Sequence, residues 1–249
     1  MKTLLPEQLL AYHNQLTAIM VIIWGMAVFA GYKIKNQQYK KRISYIIIIF
    51  ALSQEIVDYI NRFLLDELYH TSLRTELPLH FCAIGFYFSL AGIFIASNNK
   101  KINPKIEQFL FDCAYVLGLA GALQAMIAID LTGINNRIGI YVLNWQHSLL
   151  ILNVLWLIFA YNKRFTAKSI LNAFIFINVI IYPVGLLNYF LGSNYMFVCQ
   201  PPNVNSSFFI GEWPFYLFWL ELIYFIYIVI LWLPFKIASF FQKNKSISY

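Results

Sequence analysis

The sequence predicts an all-α membrane protein, a polytopic helical bundle of seven transmembrane helices with its N-terminus outside and its C-terminus in the cytoplasm. Three observations predict it. The 249 residues are 60% hydrophobic and only 12% charged, whereas soluble chains carry about 25% charged residues. Apolar runs long enough to span a bilayer, about 20 residues each, fill the chain and leave room for a single transmembrane domain over 1–249. The basic residues then fall on one side of those runs.

The first span, 16–33, is followed rather than preceded by its positive charges, Lys33 and Lys35, so it reads as a retained helix and not as a cleaved signal. The second, 43–65, enters after Lys40, Lys41 and Arg42 and carries Glu55, Asp58 and Arg62 on one face at i, i+3 and i+7. The third, 79–97, follows Leu77-Pro78, with His80 and Cys82 in its first turns. The fourth and fifth cover 108–130 and 138–161, the fifth carrying Gln146 and His147. The sixth, 169–191, ends near Asn188, and the seventh, 213–236, holds Glu221.

If these helices alternate in direction, Lys33, Lys35, Lys40, Lys41, Arg42, Lys100, Lys101, Lys105, Lys163, Arg164, Lys168, Lys236, Lys243 and Lys245 share one side. They are fourteen of the eighteen Lys and Arg residues, and the positive-inside rule makes that side cytoplasmic. The net charge of +7 is therefore read as membrane orientation, not as nucleic-acid binding. Cys82, Cys113 and Cys199 have no metal-ligand spacing, and no nucleotide-binding motif occurs. No metal or cofactor is expected.

Ionisable groups within a span cost about 2.5–3.5 kcal/mol each on insertion scales and mark functional sites by default. Once oriented, Glu55, Asp58, Arg62, His80, Cys82, Gln146, His147, Asn188 and Glu221 gather between the membrane centre and its outer face, with Asn194, Tyr195 and Trp213 in the loop after the sixth span. They predict an outward-facing pocket above a cytoplasmic half that is almost purely apolar apart from groups such as Asp112. The loop from Gly192 to Glu212 is either a lid or an interfacial segment anchored by Tyr195, Trp213 and Tyr216 at headgroup level. Asp58 and Arg62 fit a structural ion pair as well as a substrate contact. A buried thiol becomes a nucleophile when an imidazole is within reach, so Cys82 and His147 are either a catalytic pair or two structural residues.

The motifs Leu77-Pro78-Leu79-His80-Phe81-Cys82, Trp145-Gln146-His147, Asn194 through Pro202, and Gly211 through Tyr216 resemble those of the YwaF-like family of bacterial membrane proteins, related to the animal transmembrane protein 164. The similarity extends over nearly the whole chain. It implies an intramembrane phospholipid acyltransferase or lipid hydrolase in the bacterial plasma membrane, acting on membrane phospholipid with Cys82 as nucleophile and His147 as base. His80, Asn194 or Tyr195 would position a head group or stabilise an oxyanion. Two other classes compete: a small-solute or proton-coupled transporter using Glu55, Asp58, Arg62, His147 and Glu221 as a relay, and a seven-helix ligand-binding sensor. The first predicts polar access from both faces; the second rests on topology.

Overall fold

The computed structural model describes residues 4–98, 102–127, 129–201 and 209–247; Lys100, Lys101 and Pro202 of the sequence reading lie outside these. Among them are seven α-helices and no strand: α1 (Pro6–Lys33), α2 (Gln37–Ile60), α3 (Phe81–Asn98), α4 (Pro104–Ile127), α5 (Arg137–Ala160), α6 (Ala167–Leu191) and α7 (Phe215–Ile247). All seven are long and apolar enough to cross a membrane. Ile22, Met26 and Phe29 of α1, Ile46 and Ile49 of α2 and Phe218 of α7 are exposed. So large an apolar surface is incompatible with water and suited to lipid.

The boundaries differ from the hydropathy reading where capping chemistry governs them. Helix α1 starts ten residues before the first apolar run, with Pro6 in its first turn and the Gln8 side chain accepting from Leu5 N–H. Asn36 caps α2 by accepting from the Gln38 and Tyr39 amides, Asn136 caps α5, and Thr166 and Ser169 cap α6 reciprocally. Helix α3 begins at Phe81, not at Pro78, so His80 lies just outside it. Helix α6 ends at Gly192, whose φ of 63° is the left-handed cap conformation that glycine adopts without strain.

The chain forms two compact units, Met1–Lys163 and Arg164–Tyr249. In the first, α5 is the hub. It buries fourteen residues, and α1, α2, α3 and α4 all pack on it. Gly31 of α1 lets the backbones meet, since a Cβ there would lie 3.0 Å from Ala160 N. A Cβ on Gly85 of α3 would likewise lie 2.9 Å from Gly118 N of α4. Small residues at helix crossings are how membrane helices gain close packing without a hydrophobic driving force. In the second unit α6 and α7 pair, with Phe174 set edge-on to Phe225.

Candidate active site in the five-helix unit

The contact of Gly85 with Gly118 fixes the register of α3 against α4, and Leu150 of α5 packs on the same Gly118, 2.9 Å from where a Cβ would stand. One turn along, the same faces carry Cys82 on α3, Gly121 on α4 and His147 on α5. A Cβ at Gly121 would overlap Cys82 Sγ; the thiol therefore occupies the space that this glycine leaves. Cys82 is thus seated on α4 at Gly121, and His147 stands on α5 one turn from Leu150. No hydrogen bond joins them among the described residues.

Two of the four histidines of this unit, His13 and His147, have opposite hydrogen-bonding states. His13 is 2% exposed. Its Nε2 lies 3.1 Å from Met126 O, a carbonyl that only accepts, so Nε2 carries hydrogen and Nδ1 accepts from Asn144 Nδ2 at 3.1 Å. Thr17 and Ser148 complete this network around Asn144. His147 is arranged the other way: Nδ1 donates to Leu143 O at 2.8 Å, which leaves the Nε2 lone pair as an acceptor. It is the tautomer required of a general base.

A second polar group lies between α2, α3 and α5. Glu55, 9% exposed, accepts from Tyr87 OH at 3.1 Å and from Gln146 Nε2 at 2.9 Å. One to two turns on, Arg62 pairs with Asp58 and Glu76, each at 2.5 Å, and lies over the Tyr59 ring. Arg62 sits in a π-helical turn, Asn61–Leu65, that extends α2. Tyr69 and Thr75 also donate to Glu76, and burial pushes the Tyr69 phenol above its usual value. Burial likewise lowers His80 below the usual imidazole value, which favours the neutral ring.

The remaining sequence-predicted residues belong to the second unit and organise its loop. Asn188 accepts from Tyr195 N–H and Ser193 Oγ and donates to Tyr195 O. Asn194 accepts from the Cys199 and Gln200 amides and donates to Gln200 O. Trp213 donates to Val198 O and Tyr216 to Phe197 O. Tyr195 and Tyr216 are buried, 1% and 0% exposed, and only Trp213 stands outside. The two tyrosines thus depart from the expected headgroup anchors because their rings pack into the loop they fold. Glu221 is exposed on α7, lining a groove with Phe174, Phe218, Leu222 and Phe225.

The end of the five-helix unit that carries Lys35 and Lys41 is less apolar inside than the sequence suggests. Lys40, 7% exposed, donates to Ala160 O at 2.6 Å, and Ser44 binds Trp156 Nε1 and Tyr161 OH, each at 2.8 Å. Asp112 is fully buried and accepts from Gln108. Serine and tryptophan within apolar runs raise no alarm in hydropathy, which is why this layer escapes a reading by charge. No group of His, Cys, Asp and Glu suited to a metal ion occurs among the described residues.

Comparison with models of protein families matches residues 5–232 to the TMEM164 family. No curated protein and no solved structure matches the chain.

Proposed function

The chain belongs to the TMEM164 family, and from that membership we propose that this multi-pass membrane protein is a thiol-dependent acyltransferase or hydrolase acting on phospholipid acyl chains, with Cys82 as nucleophile and His147 as base. Two observations support it best: a thiol seated on Gly121 of α4 and, on α5, an imidazole whose Nε2 is left as acceptor. His13, with both nitrogens engaged, is unsuited to the task. The reading takes the basic side as cytoplasmic, the whole chain as one membrane domain, and the bacterial plasma membrane as its place.

In the proposed reaction the acyl chain enters beside α4 and draws Cys82 and His147 into hydrogen-bond contact, a tightening usual on substrate binding. The Cys82 proton passes to His147 Nε2 as Sγ attacks the ester carbonyl carbon. The ester C–O bond then breaks, His147 returns the proton to the departing lipid oxygen, and the acyl group remains on Sγ as a thioester. An acceptor hydroxyl, from a lipid for transfer or from water for hydrolysis, gives its proton to His147 and takes the acyl group, restoring the thiol. The Arg62, Asp58 and Glu76 group and His80 would meet the more polar part of the lipid.

Purified protein in mixed lipid micelles, given phospholipid with a labelled acyl chain, tests this directly. Cys82→Ala should abolish release or transfer of the label, and His147→Ala should lower it by about 10²–10⁴-fold, the usual contribution of a positioned base. Undiminished turnover in folded Cys82→Ala would remove the nucleophile assignment.

A further inference from the structure

Helices α2 and α5 run antiparallel in a register fixed by four contacts. Lys40 meets Ala160, Ser44 meets Trp156, Glu55 meets Gln146, and Asn61 Nδ2 lies 3.6 Å from where a Cβ of Gly139 would stand. This register sets Gln54 opposite Gln146 and Ile47 opposite Asn153. Three carboxamides on this seam are buried to 2% exposure or less: Gln54, Asn61 and Asn153. Among the described residues, Gln54 Nε2 and Oε1, Asn61 Oδ1 and Asn153 Oδ1 have no hydrogen-bond partner. Asn153 Nδ2 is satisfied by Ser89 Oγ at 2.8 Å.

Four such atoms left unpaired in a low-dielectric interior would cost a large share of a domain's net stability. They are not scattered. Gln54 and Asn61 are seven residues apart on α2, as are Asn153 and Gln146 on α5, a spacing of about 10 Å along each axis. Polar side chains fill the intervals: Glu55, Tyr87 and Gln146 beside Gln54, Ser89 beside Asn153, then Ser44 with Tyr161, then Lys40. Ala51, fully buried, is the small side chain on α2 between the Gln54 and Asn153 layers.

We propose that the α2–α5 seam binds a row of water molecules running from Asn61, past Gln54 and Asn153, to the Ser44 and Lys40 end. Water fits where a larger ligand does not. The open atoms are both donors and acceptors, they recur at intervals longer than one hydrogen bond, and each is buried too deeply to meet a head group or sugar. A buried water typically makes about three hydrogen bonds to such otherwise unsatisfied groups. The row runs along the α2 side of α5 and does not depend on the acyl-transfer reading. It supplies the polar continuity between the two ends of the unit that the sequence alone lacks.

Radiolytic footprinting of the full-length protein in detergent, with isotopically labelled water and mass-spectrometric readout, tests this. Trp156, 0% exposed, donates to Ser44 on the seam, whereas Phe111, 1% exposed, lies on α4. After correction for intrinsic reactivity, Trp156 should take up label an order of magnitude faster than Phe111. Gln54→Leu and Asn153→Leu should each slow it, with melting temperature verifying the fold. Equal labelling of Trp156 and Phe111 in the unaltered protein would overturn the proposal without any appeal to the variants. So would unchanged Trp156 labelling in both folded variants.

Discussion

His13 and His147 differ by one unused lone pair, and that difference sets their expected roles. Replacing His13 removes hydrogen bonds to Met126 O and Asn144 and opens a cavity between α1, α4 and α5. His13→Ala should cost about 2–4 kcal/mol, read as a lowered melting temperature in detergent. His147→Ala loses only the bond to Leu143 O among those of its ring and should cost less stability than His13→Ala while lowering turnover by about 10²–10⁴-fold. Gly121 adds a third residue. A methyl there collides with Cys82 Sγ, so Gly121→Ala should displace the thiol and slow its alkylation, at an overpacking cost of about 1–3 kcal/mol. Cys82 and His147 were legible in the sequence because both are rare within apolar spans. His13 was not, since it precedes the first long apolar run, and nothing in a linear sequence couples Gly121 to Cys82.

Helix α2 shows what hydropathy reads and what it misses. The i, i+4 spacing of Asp58 and Arg62 announces their ion pair, and the structure contains it. Glu76, the second carboxylate on Arg62, comes from the segment that follows α2 and has no periodic link to it. One guanidinium therefore neutralises two partly buried carboxylates, and the three positions are not equivalent. Arg62→Met leaves both carboxylates unpaired and should destabilise by about 3–5 kcal/mol. Asp58→Asn or Glu76→Gln leaves the other pair intact and should cost clearly less. Thermal unfolding of the three variants side by side measures this ordering, and equal losses would show that Arg62 acts through packing on Tyr59 rather than through charge. Element existence was legible because each span is long. Ends such as Pro6 were missed because Glu7, Gln8 and His13 interrupt the apolar pattern before Leu16, although Pro6 was itself a start signal.

The direction expected for the five-helix unit in the membrane rests on charge and on helix order together. Within the five-helix unit, the contacts of Lys40 with Ala160 and of Glu55 with Gln146 make α2 and α5 antiparallel, as alternating spans require. The end where α1 and α5 finish and α2 begins carries Lys33, Lys35, Lys41, Arg42 and Lys163, the last paired with Glu107. At the opposite end Arg137 meets Tyr12, and Arg62 is neutralised by Asp58 and Glu76. Positive charge retained near helix ends in short loops resists translocation, and the end with Lys33, Lys35, Lys41, Arg42 and Lys163 carries more of it than the end with Arg62, Arg74 and Arg137. The basic end should therefore face the cytoplasm. Against a Cys199→Ser background, Ser72→Cys in the segment between α2 and α3 should react with a membrane-impermeant maleimide on intact cells. Gln38→Cys at the start of α2 should react only after permeabilisation. The reverse pattern would invert the topology and move Cys82 and His147 from the outer to the inner half of the bilayer, and with them the leaflet from which an acyl chain reaches the thiol.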